Sequence, residues 1–330
     1  MENTRIFGVV LAVLLLLLPV ALSAAGYGGF VYALHRPKQH RPAKPGKQGA
    51  DPIRLARDAA RSAAKKRFTA LAPEDCMLQS ADNTNLRAWF FPAVNPHSRR
   101  LVVFAHGYHN DGPGEFADQL AFYRSDMGFH CLFPDHRAHG RSGGKTIGFG
   151  APEARDLLAW AQNFITRLGS DVEIVLHGIS MGAATVLLCS TMHPPPQIKC
   201  VIADCGYTNA LAQIRHTMRT ELRLRFAPLL WVMELWARLL GKVSLRHASD
   251  PLGKMPNATL PALFIHGEED SFVPFEMGKH LFAACPAEKD CLWIPGAAHA
   301  MCYSMDTPAY QNAVERWCKR YIQFEDPVRR

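Results

Sequence analysis

The residues best suited to chemistry surround Ser180, which stands in the run Gly-Ile-Ser-Met-Gly at positions 178–182. The apolar residues 174–176 precede this run, and the small residues 183–185 follow it. A Gly-x-Ser-x-Gly pattern between a strand and a helix holds its serine on a sharp turn with the hydroxyl accessible. Side chains at positions 178 and 182 would clash with such a turn, which explains the two glycines. The pattern therefore predicts that Ser180 is a nucleophile.

A serine nucleophile requires a base and an orienting acid, because its hydroxyl reacts weakly at neutral pH. In a strand-turn-helix setting these follow the serine in the order acid, then histidine. The apolar residues 262–265 lead to Asp270, and His299 follows a second apolar run at 291–294. We predict that Asp270 fixes the tautomer of His299. We predict that His299 takes the proton from Ser180 and returns it to the leaving group.

The position of the acid has an alternative elsewhere in the chain. Asp204 also ends an apolar run, residues 200–203, and so occupies a similar place at the end of a predicted strand. Glu268 and Glu269 stand beside Asp270, but paired charges of this kind are typical of a solvated turn. The sequence favours Asp270 and leaves Asp204 open.

Two backbone N–H groups are also needed to stabilise the oxyanion that forms on the substrate. The residue after the nucleophile, Met181, is the first predicted donor. The second is expected in the turn after an early strand, where His-Gly-Tyr follows the apolar residues 101–105. The N–H group of Tyr108 is the predicted donor in that turn.

Six stretches, in this order along the chain, resemble the α/β-hydrolase superfamily. The chain looks most similar to the serine aminopeptidase S33-like or lysophospholipase-like branch, and to its membrane-anchored bacterial hydrolases. The stretches are residues 106–108, 135–143, 178–182, 204–208, 266–270 and 295–299. The resemblance implies a serine hydrolase that acts on small-molecule carboxyl esters or acyl lipids without a cofactor or metal. A peptidase with the same catalytic residues, and a catalytically silent binding protein with this fold, are the alternatives.

The pattern of elements indicates one α/β domain with a mostly parallel, eight-stranded sheet flanked by helices, because apolar strand patterns alternate with helical ones. An antiparallel edge hairpin is expected over residues 76–98. Strands are predicted at 86–91, 101–105, 131–133, 174–176, 200–203, 262–265 and 291–294, and helices at 114–127, 153–168, 181–193, 274–285 and 307–324.

The segment of about 207–256 departs from this alternation and is predicted to be a small helical cap inserted in the domain. It contains two helical patterns, at 210–226 and 228–240. Their apolar face either packs on the core or lines a pocket that favours acyl chains. The face consists of Leu222, Phe226, Leu229, Leu230, Met233, Trp236 and Leu240.

The N-terminal segment is long and apolar enough to cross a membrane, because residues 6–34 contain no charged side chain. The small residues Ala21 and Ser23 would also suit signal-peptide cleavage. Since the apolar run continues to position 34, we predict an uncleaved, single-pass anchor that contacts membrane lipid. The expected organisation is an anchor or signal segment at 1–35, a basic juxtamembrane linker at 36–67 and the catalytic domain at 68–330.

The positive charge of the chain is concentrated next to this segment. The formal net charge is +8, but residues 36–67 hold eleven lysines and arginines against two acids, which leaves the catalytic domain almost neutral. This distribution argues against nucleic-acid binding. The basic stretch either attracts anionic lipid or is a solvated linker, and residues 53–68 suit a basic helix lying on the bilayer.

The side of the membrane that carries the catalytic domain stays open. The positive-inside rule places the basic stretch in the cytoplasm, whereas N-terminal hydrophobic segments commonly export the domain to which they are joined. The nine cysteines form no spaced framework, which is typical of a reducing compartment, but Cys285 and Cys291 are close enough in the chain to form a disulfide.

Overall fold

Eleven helices and eight strands form the described part of the chain, which in the computed structural model comprises residues 2–36, 52–224 and 227–324. The strands are β1 (Glu74–Gln79), β2 (Asn85–Phe91), β3 (Arg100–Ala105), β4 (His130–Asp135), β5 (Glu173–Ile179), β6 (Ile198–Asp204), β7 (Ala262–Gly267) and β8 (Lys289–Ile294). The helices are α1 (Glu2–Leu34), α2 (Pro52–Ala70), α3 (Gly112–Phe116), α4 (Ala151–Leu168), α5 (Met181–Cys189), α6 (Ala210–Thr220), α7 (Ala227–Leu239), α8 (Pro251–Lys254), α9 (Phe275–Ala284), α10 (Cys302–Met305) and α11 (Thr307–Tyr321).

All eight strands belong to one sheet with the order β1-β2-β4-β3-β5-β6-β7-β8. Strand β2 pairs antiparallel with both β1 and β4, and the remaining pairs are parallel. The predicted α/β domain with a mostly parallel, eight-stranded sheet is therefore confirmed. Because parallel strands end at the same edge, the segments that follow β3, β5 and β7 emerge close together.

Apolar residues on both faces of the sheet explain its central position. In β3, Leu101 and Val103 belong to one core cluster, whereas Val102 and Phe104 belong to the other. Successive side chains of a strand point to opposite faces, so each face requires its own helical cover. Helix α4 contributes Trp160 to the first cluster and α11 contributes Trp317 to the second.

Three predicted helices are interrupted or end early in the structure. The helix expected at 114–127 is interrupted, because α3 ends at Phe116 and a π-helical turn, Phe122–Asp126, follows. Both Phe122 and Tyr123 are buried, and the hydroxyl of Tyr123 lies 2.8 Å from Nδ1 of His177. The wider turn thus accommodates two adjacent buried rings.

The helix expected at 181–193 ends at Cys189. The hydroxyl of Ser190 donates to the carbonyl of Leu187 at 2.6 Å, and that of Thr191 donates to the carbonyl of Leu188 at 2.8 Å. Such bonds compete with the helical backbone. The helix expected at 210–226 likewise ends early, at Thr220, and residues 225–226 lie outside the described residues.

The segments that precede the sheet pack on the domain at two places. Helix α1 lies against α7, and Phe30 and Leu34 near its C-terminal end are buried. Helix α2 buries Ala64 and Phe68 beside the sheet, so this face of the predicted basic helix contacts protein. The predicted linker residues 37–51 lie outside the described residues. All nine cysteines are free in the structure, so Cys285 and Cys291 are not joined in it.

Candidate active site

The turn between β5 and α5 carries Ser180 in a left-handed backbone conformation, with φ 58° and ψ −115°. A Cβ atom at Gly178 would collide with the carbonyl group of Gly182, and one at Gly182 would collide with that of Ala105. The predicted need for glycine at both positions is confirmed. A strained conformation at a residue with a reactive side chain is a common feature of functional sites.

A continuous chain of hydrogen bonds joins the three residues that the sequence singles out. The hydroxyl oxygen of Ser180 lies 3.0 Å from Nε2 of His299, and Nδ1 of His299 lies 2.7 Å from Oδ2 of Asp270. The side chain of Asp270 is fully buried, whereas that of His299 is 19% exposed. In this arrangement Nδ1–H donates to the carboxylate, which leaves Nε2 free to accept a proton from the serine.

The loop after β7 stabilises Asp270 as a carboxylate. Its Oδ1 atom accepts hydrogen bonds from the amides of Phe272 at 3.0 Å and Val273 at 2.8 Å, and Oδ2 lies 3.4 Å from Nε2 of His266. Burial alone raises the pKa of Asp270, but the interactions with His266 and His299 outweigh it and lower the pKa to about 2. Asp270 is therefore ionised at neutral pH and faces the imidazole that would become charged in acyl transfer.

The alternative acid, Asp204, lies at the end of β6 in different surroundings. Burial raises the pKa of Asp204 to about 6. The hydroxyl of Tyr310 donates to Oδ2 at 3.1 Å, and Oδ1 has no hydrogen-bond partner among the described residues. Asp204 makes no hydrogen bond to His299 in this part of the chain, although its backbone carbonyl accepts from the amide of Ser180 at 2.8 Å.

The two predicted oxyanion donors border the serine from different segments. Met181 is the first residue of α5, so its amide has no acceptor within the helix. Tyr108 follows β3, and the described residues offer no hydrogen-bond partner to its amide or to that of Met181. The side chain of Tyr108 is held from outside the loop, because its hydroxyl donates to the carbonyl of Ala33 in α1 at 2.7 Å.

A buried carboxylate behind this loop escaped the sequence reasoning. Oε2 of Glu115 accepts from the amide of Gly107 at 3.3 Å and from Nδ2 of Asn110 at 2.6 Å, and Oε1 accepts from Arg61 at 3.0 Å. Burial raises the pKa of Glu115, but the charge of Arg61 and the bond from Asn110 bring it below its ordinary value. Glu115 therefore ties the segment before Tyr108 to α3 and α2.

Buried histidines brace the same loop and were also missed. Nε2 of His106 accepts from the amide of His136 at 2.9 Å, and Nε2 of His139 accepts from the amide of His109 at 3.2 Å. Burial keeps the pKa values of His136 and His139 well below their ordinary range, so both rings are neutral. These histidines lie in two of the stretches that carry the family resemblance, 106–108 and 135–143, but the spacing did not reveal the contacts between them.

The helical insertion between β6 and β7 contacts the loop that holds Asp270. From α6, Nε2 of Gln213 donates to the carbonyl of Phe272 at 2.6 Å, and Nε2 of His216 lies 2.8 Å from the carbonyl of Ser271. The ring of Phe272 is centred 4.9 Å from that of His299. Helix α6 thus covers the loop next to the histidine.

The predicted apolar face of the insertion is divided between burial and exposure. Leu230 and Met233 are buried, whereas Leu222 and Leu240 are exposed, and Phe226 lies outside the described residues. Packing on the core explains the first pair only. Both alternatives for the predicted face, packing on the core or lining a pocket for acyl chains, therefore stay predictions.

One group of three potential metal ligands occurs in the described ranges, Cys205 with Asp270 and His299. Asp270 and His299 are already hydrogen-bonded to each other, and burial raises the pKa of the Cys205 thiol well above its ordinary value. A metal-binding thiolate is disfavoured in such surroundings. The arrangement suits proton transfer better than metal coordination.

A cleft of about 360 Å³ lies beside α2, away from these residues. Its charged lining residues are engaged in ion pairs within the protein, Lys65 with Asp111 at 3.0 Å and Arg141 with Asp135 at 3.4 Å. Because those charges already have partners, the cleft is a weaker candidate site than the turn at Ser180.

A mostly parallel eight-stranded sheet with a serine on the strand-turn-helix after β5 defines the class of α/β hydrolases. Residues 102–312 match the family model described as the alpha/beta hydrolase family, and the chain belongs to that family.

Several known proteins are similar to this chain. The uncharacterized protein YqkD of Bacillus subtilis is 32% identical over 225 residues, which cover 68% of this chain and 73% of that protein. Alpha/beta hydrolase domain-containing protein 17C of Homo sapiens is 27% identical over 247 residues, which cover 72% of this chain and 62% of that protein. The solved structure of Pyrococcus furiosus esterase Pf2001 is similar with a TM-score of 0.59, at 22% identity, over 77% of this chain and 93% of that one. This last likeness shows the fold alone.

Proposed function

We propose that the protein is a serine hydrolase that cleaves carboxyl esters through an acyl-enzyme intermediate. The observation that carries this proposal is the hydrogen-bond chain from Ser180 through His299 to Asp270. A silent binding protein would have no use for a serine on a strained turn in contact with an oriented imidazole. The family name and the fold agree with hydrolysis as the reaction class.

Acylation follows from the geometry of the three side chains. Oγ of Ser180 attacks the ester carbonyl carbon while Nε2 of His299 accepts the hydroxyl proton. Asp270 stays ionised and stabilises the imidazolium through Nδ1–H. The negative charge on the carbonyl oxygen is received by the amides of Tyr108 and Met181. When the tetrahedral intermediate collapses, the alkoxide leaves with the proton held on Nε2.

Deacylation repeats these steps with water as the nucleophile. Nε2 of His299 accepts a proton from water, the hydroxide attacks the acyl carbon, and the same amides receive the oxyanion. Collapse releases the carboxylic acid and returns the proton to Oγ of Ser180. Each cycle therefore consumes one ester and one water and leaves the enzyme unchanged.

A fluorophosphonate probe tests the proposed nucleophile directly, because it phosphonylates an activated serine. We expect the full chain to be labelled and the Ser180→Ala variant to remain unlabelled. The neighbouring Thr185→Ser variant keeps Ser180 and serves as a control that must still be labelled. Absence of labelling in folded wild-type protein would refute the proposal and favour a binding role.

The substrate class can be separated from the reaction class. Turnover of p-nitrophenyl esters of increasing acyl length is compared with turnover of aminoacyl anilides, because the same catalytic residues attack both esters and amides. We propose that the protein prefers esters, with a lysophospholipase-like preference for acyl groups, although the S33-like branch includes peptidases. Faster turnover of the anilides would assign the protein to peptidases instead.

We also propose that α1 anchors the protein in a membrane. Residues Leu15–Leu34 form a helix long and apolar enough to cross a bilayer, with a mean hydropathy of 1.6, and a signal sequence passes the same test. Intact-mass measurement of the membrane-extracted protein distinguishes the two. An anchor retains residues 1–23, whereas signal-peptide cleavage after Ser23 removes them. Extraction of the protein from membranes by alkaline carbonate would also contradict an anchor.

A further inference from the structure

Helix α7 presents an apolar stripe to its surroundings. The side chains of Trp231, Leu235 and Leu239 are 63%, 51% and 60% exposed, and they recur every four residues along one face of the helix. A helix on the surface of a soluble domain normally carries polar residues on this face. Large exposed apolar surfaces commonly mark a contact with another partner.

The buried side of α7 strengthens this contrast. Glu234 is only 8% exposed, and its carboxylate accepts from the amide of Leu245 at 2.8 Å and from Arg238 at 2.8 Å. The charged residue thus faces the protein while its neighbour Leu235 faces outward. The buried side also carries Leu230 and Met233, so α7 is apolar on both sides and has its one acid turned inward. Such an outer face suits a helix that meets hydrocarbon.

Helix α7 is held firmly beside α1. A Cβ atom at Gly29 would lie 2.7 Å from Sδ of Met233, and one at Gly26 would collide with the side chain of Val232. Nε1 of Trp236 donates to the carbonyl of Ser23 at 3.1 Å. Small residues permit such close helix packing in membranes. The stripe on α7 therefore has a fixed position relative to α1.

The exposure of α1 locates that position relative to a bilayer. Residues 15–20 are apolar and exposed, whereas Phe30 and Leu34 are buried in the folded domain. Hydrocarbon can therefore cover α1 only up to a point before Phe30. The contacts of α1 with α7, at residues 23–29, lie at this boundary.

Positive charges occur at the C-terminal end of α7. The side chain of Arg238 is 49% exposed, and Lys242 is exposed three residues beyond the helix. An apolar face with cations next to it is typical of helices that lie in the interface of anionic membranes.

We propose that α7 lies in the headgroup and outer acyl region of the bilayer that α1 spans, with Trp231, Leu235 and Leu239 among the acyl chains. The proposal rests on the membrane anchor and deepens the hydrolase function proposed above. Since α6 of the same insertion contacts the loop beside His299, the bilayer lies next to the site. The substrate class that fits is an acyl ester already dissolved in the membrane.

Fluorescence quenching by brominated lipid tests the position of α7. The full chain is reconstituted in vesicles of phosphatidylcholine and phosphatidylglycerol, with and without dibrominated acyl chains. We expect bromination to quench a smaller fraction of the fluorescence in Trp231→Phe than in wild type. Trp89→Phe, a change in β2 beside the edge strand β1, should be quenched at least as strongly as wild type. Equal quenching of wild type and Trp231→Phe would overturn the proposal.

A second measurement tests the link to substrate. The triple variant Trp231→Ser, Leu235→Ser, Leu239→Ser should hydrolyse a vesicle-embedded long-chain ester about tenfold more slowly, because it loses the apolar contact with the bilayer. Its turnover of p-nitrophenyl acetate in water should stay within about twofold, since none of the three side chains touches the catalytic residues. The exposed pair Met77→Ser, Val94→Ser is the matched control and should affect neither substrate.

The outcomes separate the proposals from one another. If the triple variant hydrolysed both esters equally more slowly than wild type, the proposed link to a membrane substrate would be overturned. If Trp231 were quenched but the wild type hydrolysed no ester, the proposed hydrolase function would be refuted and the proposed position of α7 in the bilayer would stand. Failure of wild type to float with vesicles would remove the anchor and the position of α7 together.

Discussion

Two buried aspartates, at the ends of neighbouring parallel strands, have opposite electrostatic surroundings. Asp270, after β7, accepts two backbone amides and contacts two histidines, and its pKa is lowered to about 2. Asp204, at the end of β6, accepts one tyrosine hydroxyl, and burial raises its pKa to about 6. Both side chains are buried. The difference therefore arises from the hydrogen bonds that each loop supplies.

This contrast shows why position after a strand is an insufficient criterion for a catalytic acid. A triad acid must remain ionised and must touch the histidine, so that it can stabilise the imidazolium. Asp270 meets both conditions in the structure, whereas Asp204 meets neither at mildly acidic pH. Substitution of each aspartate tests that division.

The largest expected effect is on turnover by Asp270→Asn. An amide at this position favours the wrong tautomer of His299, so kcat on a p-nitrophenyl ester should fall by about 10⁴-fold. The parallel variant Asp204→Asn should stay within about threefold of wild type, because its side chain makes no bond to the histidine. Steady-state kinetics of both folded variants, compared by circular dichroism, checks the prediction. A greater loss in Asp204→Asn would exchange the roles of the two residues.

A third buried carboxylate, Glu115, sharpens the comparison because it acts at a distance from His299. We expect Glu115→Ala to lower kcat by about 10- to 100-fold, since the loop that carries the Tyr108 amide loses its tie to α3. Glu115→Gln retains one acceptor oxygen and should recover most of the activity. The value of KM should change little, because an oxyanion donor acts mainly in the transition state.

A purely structural role for Glu115 would give a different result. In that case the number of active sites titrated by fluorophosphonate would fall, while kcat for each labelled site would remain unchanged. The control is Lys65→Met, which removes a different ion pair of α2, to the α3 N-cap residue Asp111, without reaching Gly107. Equal effects of this control and Glu115→Ala would contradict a specific role in positioning the loop.

The sequence predicted the features that depend on local patterns. Ser180, Asp270 and His299 each follow an apolar strand, and the parallel sheet brings such segments to one edge. The sequence favoured Asp270 but left Asp204 open, because both follow strands and contacts in space are needed to distinguish them.

The remaining features of the site depend on pairs that are distant in the chain. Glu115 pairs with Arg61 across 54 residues, and Arg61 lies in the stretch that the sequence predicts to be a basic helix on the bilayer. The exposed apolar stripe of α7 was equally hidden, because apolar periodicity alone cannot show which side of a helix the rest of the chain covers. The division of the chain at residues 35 and 67 stays a prediction.

The pH dependence of stability offers a smaller but sharper test of the two aspartates. The folded-state pKa of Asp204, about 6, exceeds its ordinary value of 3.8, so the folded protein binds this proton more tightly than the unfolded chain. Its contribution to the free energy of unfolding should therefore fall as pH rises from about 4 to about 6. The lowered pKa of Asp270 gives the opposite slope, with stability lost as pH falls from about 4 to about 2.

Urea unfolding of Asp204→Asn at several pH values isolates the first of these contributions. Because asparagine does not titrate, the difference in unfolding free energy between variant and wild type should shift by on the order of 2 kcal/mol in favour of the variant between pH 4 and pH 7. A difference that is constant over this range would mean that Asp204 is already ionised in the folded protein at pH 4.

The smallest effect on turnover is expected from Tyr310→Phe, which removes a hydrogen-bond partner of both Asp204 and His177. The Tyr310 hydroxyl donates to Asp204 and lies 2.9 Å from Nε2 of His177, whose Nδ1 lies 2.8 Å from the hydroxyl of Tyr123. Burial lowers the pKa of His177 to about 3, so the ring is neutral and its Nε2–H donates to Tyr310.

Phenylalanine at position 310 leaves this donor and the Asp204 oxygen without their partner, which should lower the free energy of unfolding by about 1–3 kcal/mol. Turnover should change less than about twofold, because this network runs behind the sheet edge and bonds to neither Ser180 nor His299 through a side chain. A loss comparable to that of Asp270→Asn would mean that Asp204 and its tyrosine belong to the catalytic apparatus, and the contrast between the two aspartates would then be one of degree.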